Sequence, residues 1–310
     1  MNIIFAGTPD FSVPILESLH KEGYNIKMVI TQQDRPKGRG KQMQPTPVKE
    51  KALELGLEVY QPKNINSRES LDKIKEVNPE VIVVVAYGQI FKTEILNLPK
   101  YGCINIHASI LPKYRGAAPI NWVLINGEKE TGVTIMQMEE GLDSGDMYYM
   151  KKIDITPEDD AFTIHDKLSI LGAEAIVESL DKIVKKEIKG EQQDHSLSTY
   201  APMLSRDTGK IDWNKKNYEI VNLIRGVKGW PSATTYYGDE KIKIHQAKTI
   251  DEDFSDIPGE IIRVDDEGVL VQTGKGSILI EKLQFPNKRK MHVSEYIQGN
   301  EIKEKIVLSN

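Results

Sequence analysis

Through the first half of the chain, short runs rich in valine and isoleucine alternate with polar stretches that carry helix signals. The runs are NIIFAG (2–7), IKMVIT (26–31), VIVVVAYG (81–88), GCINIH (102–107) and TGVTIMQM (131–138). Near-continuous β-branched runs of this length suit strands buried on both faces, because a half-solvated strand would alternate polar with apolar positions. Between them, Thr46 and Pro47 open PVKEKALEL and Gly56 closes it, which supplies an N-cap, a proline at the first helical position and a glycine stop; SRESLDKIKEV (67–77) is a second helix. The alternation predicts an α/β domain with a mostly parallel, Rossmann-like sheet. Residues 161–186 predict a long amphipathic helix, after which residues 187–204 lose periodicity and read as a surface linker. Beyond them one helical stretch, NYEIVNLIRGV (217–227), precedes short alternating strands between residues 234 and 284, spaced by glycine and aspartate turns. That spacing predicts a small antiparallel β-barrel of the oligonucleotide-binding (OB) type. The expected organisation is a catalytic domain over 1–188, a linker over 189–206 and an OB-like domain over 207–310.

At 310 residues the chain has room for two cores. No window nears the roughly 18 apolar residues that cross a bilayer, and MNIIFAGTPDF has no basic region ahead of its apolar run, so a cytoplasmic protein without a membrane partner is expected. Cys103 stands alone, which rules out a disulfide framework within the chain and a cysteine-cluster metal site. The histidines are scattered, with no pair four residues apart, and no metal is expected. Gly7 ends the first run, yet AGTPDFS lacks the further glycines of a dinucleotide fingerprint. PKGRGKQ is no triphosphate loop either, since Arg35 stands where the first glycine belongs and Gln42 where serine or threonine belongs. A net charge of −5 argues against nucleic acid gripped by the whole surface and leaves only local patches.

Candidate chemistry centres on INIHASILPKYRGAAPI. On a strand, residues i and i+2 share a face about 6.6 Å apart, so Asn105 and His107 project together near the carboxyl end, where open α/β sheets bind ligands. Cys103 lies on the same face about 13 Å from His107 along the strand, too far for a thiolate–imidazole pair, and reads as core. Asp143, in the glycine-flanked turn EEGLDSGD after the last run, is a third candidate that such a turn can push toward a neighbouring strand end. Pro112, Gly116 and Pro119 shape a loop beside the pair, with Lys113 and Arg115 placed to face an anionic ligand tail. Spacing alone reaches an acid–base or acyl-transfer site.

The segments FAGTPDFSVPIL, DRPKGRGKQMQPTPVK, VVVAYGQI, GCINIHASILPKYRGAAPINW and ETGVTIMQMEEGLDSGDM, in that order, resemble the methionyl-tRNA formyltransferase family, and IDWNK and GWPSATTYY carry the resemblance into the second domain. The resemblance implies the formyltransferase fold and a formyl-transfer triad of Asn105, His107 and Asp143. It implies 10-formyltetrahydrofolate as cosubstrate and the methionine α-amine of initiator tRNA as acceptor, in support of translation initiation. Ser109, Ile110, Leu111 and Pro112 match the family's folate signature, commonly Ser-Leu-Leu-Pro, with Ile110 an aliphatic swap. Tyr87, Gly88 and Gln89, with Leu142, are expected to line the pterin pocket.

Arg35, Lys37, Arg39 and Lys41 stand in seven residues without an acid, interrupted by Pro36, Gly38 and Gly40. A basic, glycine-rich loop near a strand end suits phosphates at a nucleic-acid terminus, and in the resembling family this loop meets the tRNA acceptor arm. Arg206 and Lys210, and the NKRK stretch from Asn287 to Lys290, extend the expected track. A formyltransferase acting on a small amine, such as a glycinamide ribonucleotide or an amino-sugar nucleotide, would share the triad; the basic loop and second domain favour tRNA. An RNA-binding protein with a vestigial site would have no need of all three triad residues. A monomer is expected.

Overall fold

The computed structural model describes residues 1–37 and 42–310, which form two compact units. The first comprises Met1–Gly116, Glu130–Asp154 and His165–Ala201. Its strands in chain order are β1 (Asn2–Gly7), β2 (Asn25–Ile30), β3 (Arg35–Lys37), β4 (Gln42–Gln44), β5 (Val59–Tyr60), β6 (Val81–Val85), β7 (Cys103–His107), β8 (Arg115–Gly116), β9 (Glu130–Gln137), β10 (Met147–Asp154) and β11 (Tyr200–Ala201). Seven of them build one sheet in the order β10-β9-β7-β6-β1-β2-β5. Strands β5, β2, β1, β6 and β7 are mutually parallel, while β9 runs antiparallel to β7 and β10 antiparallel to β9. The order leaves β1 in both directions, which places a switch point between β1 and β6, the kind of position where open α/β sheets bind ligands at the carboxyl ends of their strands.

The predicted signals work locally as read. Thr46 accepts a hydrogen bond from the Lys49 amide and Pro47 opens the helix Pro47–Glu54. Ser67 caps Arg68–Val77 through the Ser70 amide, and Asn78 ends that helix in the left-handed conformation at φ 49°. All five residues of β6 are buried, each valine or isoleucine contributing about 1.5–3 kcal/mol on removal from water. Gly172 in the helix Ala161–Val184 lets that helix approach β7 closely, since a Cβ there would lie 3.1 Å from Ile106 Cγ2 and 3.3 Å from Ile15 Cδ1. Cys103 is fully buried with Sγ 3.8 Å from the Ile95 carbonyl, and burial pushes its thiol up to about 12, as suits a core residue.

The second unit is discontinuous in sequence: Ala117–Lys129, Ile155–Ile164 and Pro202–Asn310. Strands β12 (Ala233–Tyr237), β13 (Glu240–Ile250), β14 (Ile261–Asp265), β15 (Gly268–Gln272) and β16 (Ser277–Gln284) pair in the order β12-β13-β16-β15-β14, all antiparallel, and β17 (Met291–His292) joins β16. The last residues bridge the two edges. Tyr236 and Ser309 exchange main-chain hydrogen bonds at 2.8 and 3.1 Å, and the Ile261 amide donates to Ile306 at 2.9 Å. This closure makes a barrel from an open sheet and removes its exposed edges. Trp213, Ile220, Ile224, Ile244, Val271 and Ile280 are among the buried side chains filling it, and Trp213 Nε1 donates to Thr235 Oγ1 at 2.9 Å. The helix Asn217–Gly226 packs against Pro119–Ile125 at Gly226, where Asn121 Nδ2 donates to the Gly226 carbonyl at 2.7 Å. Among the described residues no helix is long and apolar enough to cross a membrane.

Candidate active site

Strand β7 delivers the expected pair, Asn105 half-buried and His107 only 5% exposed. In register, Asn105 faces Val84 of β6 and Met136 of β9, and His107 faces Thr134. The His107 ring is fixed from the loop that follows. Its Nε2 lies 2.9 Å from the Tyr114 carbonyl. A carbonyl only accepts, so Nε2 carries a proton, and in the neutral ring Nδ1 is the basic nitrogen. Nδ1 stands 3.6 Å from Asp143 Oδ2, close enough for the carboxylate to stabilise a proton arriving there.

The loop is held at several points. Ser109 Oγ donates to the Lys113 carbonyl at 2.7 Å. Thr134 Oγ1 donates to the Ser109 carbonyl at 2.7 Å and accepts from the Leu111 amide at 3.2 Å. Tyr114 adopts φ 60°, a sparsely populated conformation for an aromatic residue, and its amide donates to Thr199 Oγ1 at 2.9 Å. Asp143 also has positive φ, 50°, which aspartate tolerates better than most residues. The Gly116 amide donates to Asp143 Oδ2 at 2.8 Å, anchoring the carboxylate beside the imidazole.

The structure brings His107 and Asp143 together, with Asn105 two residues before His107 on the same strand, and sorts the other expected residues. Ser109 and Leu111 are buried at 0% and 3% and hold the loop, while Ile110 and Pro112 remain partly accessible. Tyr87 turns inward at 2% exposure and packs edge-on against Phe91; its hydroxyl has no hydrogen-bond partner among the described residues, and burial raises its phenol. The Tyr87 carbonyl accepts from Thr8 Oγ1 at 2.8 Å and Gln32 Nε2 at 3.2 Å. Gly88 has φ 92°, Gln89 Oε1 accepts from the Ile65 amide at 2.8 Å, and Leu142 is 56% exposed.

Arg115 corrects an expectation. Rather than facing a ligand tail, it is 4% exposed, with Nε and Nη2 donating to Gln193 Oε1 at 3.0 and 2.6 Å and Nη2 donating to His195 Nδ1 at 3.1 Å. Lys113 is exposed. Of the basic loop, Arg35 is exposed on β3, next to Asp34, whose carboxylate accepts from Lys49 Nζ at 2.6 Å and Gln61 Nε2 at 2.7 Å. Arg39, Lys41 and the Lys37 side chain lie outside the described residues. In the second unit Arg206 is exposed, and Lys210 Nζ pairs with Asp207 at 2.7 Å. Among the described residues no group of three or more histidine, cysteine or carboxylate side chains is placed to hold a metal.

Sequence reasoning missed Tyr114, Thr134, Thr199 and Gln193. Tyr114, Thr134 and Thr199 act through or on main-chain groups, which leave no side-chain pattern, and Gln193 sits in the aperiodic stretch expected to be a linker. Residues 187–201 of that stretch belong to the first unit, with Tyr200 and Ala201 pairing Arg115 and Gly116.

Two family models match the chain: Formyl transferase over residues 1–180, and Formyl transferase, C-terminal domain, over residues 203–301. The methionyl-tRNA formyltransferase of Clostridium acetobutylicum is 50% identical over 309 residues, covering 99% of each chain. This chain belongs to the methionyl-tRNA formyltransferase family. Its counterpart in Alkaliphilus oremlandii is 48% identical over 308 residues, again 99% of each chain. Among solved structures, an N-formyltransferase from Helicobacter canadensis superposes with a TM-score of 0.69 at 20% identity, covering 90% of this chain and 98% of that one. A methionyl-tRNA formyltransferase from Clostridium thermocellum superposes with a TM-score of 0.54 at 19% identity, covering 80% and 93%. Both structural likenesses are of fold, and family membership, which rests on the sequence relatives, makes this a formyl-transferring enzyme.

Proposed function

We propose that the site formed by Asn105, His107 and Asp143 transfers a formyl group from 10-formyltetrahydrofolate to the α-amino group of methionine on initiator tRNA, in support of translation initiation. The observation that carries this reading is the pairing of His107 Nδ1 with Asp143 Oδ2 at 3.6 Å while Nε2 is occupied by the Tyr114 carbonyl. The unprotonated amine attacks the formyl carbon, and Asn105, on the same face of β7, offers its amide N–H to the formyl oxygen as negative charge develops there. His107 takes the proton shed by the amine at Nδ1, and Asp143 stabilises the resulting imidazolium. The same proton is then available to the folate nitrogen as its bond to the formyl carbon breaks, so the ring returns to its starting tautomer. No metal enters this scheme, since the amide and imidazole supply the polarisation and proton transfer it requires.

The loop from Arg35 to Lys41, with Arg206 and Lys210, supplies the cationic groups proposed to meet the acceptor arm. Incubating the enzyme with 10-formyltetrahydrofolate and methionyl initiator tRNA, methionyl elongator tRNA or an amino-sugar nucleotide tests the reading. Selective formylation of the initiator is expected; formylation of the small amine alone would replace it with the small-amine alternative.

A further inference from the structure

We propose that Gln193 is a positioning residue for formyl transfer, holding the turn that carries Asp143; the proposal rests on the role given to Asp143 above. Gln193 is 3% exposed and spends its whole hydrogen-bonding capacity on three residues, Arg115, Asp143 and Gly145. Its Oε1 accepts two N–H groups from the buried Arg115, at 3.0 and 2.6 Å. Its Nε2 donates to the Asp143 carbonyl at 2.9 Å and the Gly145 carbonyl at 2.7 Å. The orientation of the amide is forced, because a guanidinium only donates and a carbonyl only accepts.

The turn requires such a clamp. Gly141 and Asp143 have φ 132° and 50°, and Gly141 and Leu142 are exposed, so little packing holds the turn from outside. A residue in a sparsely populated backbone region keeps that geometry only where its surroundings fix it. Two hydrogen bonds do so for Asp143, the Gly116 amide at the carboxylate and Gln193 Nε2 at the carbonyl. Both trace to one short segment, since Gly116 follows the Arg115 that anchors Gln193. Arg115, Gln193 and Asp143 therefore form one chain of contacts ending at the carboxylate 3.6 Å from His107 Nδ1.

Gln193→Glu separates positioning from simple structural support. The carboxylate keeps, as an ion pair, the contact with Arg115, but has no N–H for the two carbonyls of the turn. Formylation of methionyl initiator tRNA is measured for wild type, Gln193→Glu, Asp143→Asn and the double variant, together with thermal unfolding. The expected result is a Gln193→Glu protein that is folded and unfolds cooperatively, with kcat lowered about 10-fold or more and KM for both substrates within about two-fold. In the Asp143→Asn background the same change should lower kcat no further, because its effect passes through Asp143. If Gln193→Glu fails to fold, Gln193→Met, of similar length and without donors, is read in the same way. Wild-type kcat in a folded Gln193 variant, or losses that multiply fully in the double variant, would overturn the proposal. Full activity of Asp143→Asn alone would remove Asp143 from the reaction and the positioning role with it, an outcome distinct from a silent Gln193.

Discussion

The Tyr114 carbonyl lies 2.9 Å from His107 Nε2, so a main-chain group seven residues downstream determines which imidazole nitrogen is basic. The peptide carrying that segment is held in turn by Thr199 Oγ1, which accepts from the Tyr114 amide at 2.9 Å. Thr199→Val removes this acceptor while keeping the side-chain volume. The expected outcome is a kcat about 3- to 10-fold lower, in line with the loss of about 0.5–1.5 kcal/mol of net hydrogen bonding, with little change in KM for the folate. Steady-state kinetics check it.

Cys103 provides a test of the core. With its thiol pushed up from 9.0 to about 12 by burial, the thiolate is scarce in the folded protein at pH 8. Alkylation by iodoacetamide at that pH should therefore be slow and accelerate only where denaturant unfolds the first unit. The linkage has a definite sign. A folded-state value above the unfolded one contributes stability that is fully present below about 9 and is lost as pH rises towards about 12. Denaturation of Cys103→Ala across that window should show a weaker alkaline loss than wild type.

Gly226 marks the closest approach of two helices in the second unit. A Cβ at this position would fall 2.6 Å from Ile125 Cγ1 and 3.0 Å from the Asn121 carbonyl. Gly226→Val is expected to destabilise that unit by about 1–3 kcal/mol, the usual cost of overpacking. Urea unfolding followed by tryptophan fluorescence, to which Trp213 contributes from the barrel core, reads the change.

Much of this architecture was legible because strand burial and helix capping are local. The run VIVVVAYG became β6, Thr46 and Ser67 became caps, and the alternating C-terminal runs became β12 to β16. Strand direction is not local. TGVTIMQM reads the same whether its strand is parallel or antiparallel, and only its pairing with β7 makes the sheet mixed. β10 escaped notice because MYYMKKID is amphipathic and half-buried, an edge strand without a continuous apolar run. Barrel closure by Ile306 and Ser309 uses main-chain groups that no pattern encodes. At the site, Asn105 and His107 were visible from their two-residue spacing, whereas Gln193 required the tertiary path of an aperiodic segment. Arg115 was misjudged because charge alone does not reveal that Gln193 and His195 bury it.

The basic loop carries its own expectation from sequence. Arg39→Ala should raise KM for charged tRNA and flatten the log–log salt dependence of binding by about 0.7–0.9, as one fewer counterion is released. Folate binding should stay unchanged. Formylation measured at several salt concentrations checks the slope, and an unaltered slope with unaltered KM would exclude Arg39 from contact with the RNA.

The most direct measurement is single-turnover formylation of methionyl initiator tRNA by wild type, Asn105→Ala and His107→Asn, with thermal unfolding confirming that each protein is folded. The account predicts rapid transfer by wild type and a rate at least about 100-fold lower in each variant, since one loses the donor to the formyl oxygen and the other the proton acceptor. A folded Asn105→Ala or His107→Asn protein that formylates the tRNA at the wild-type rate would contradict it.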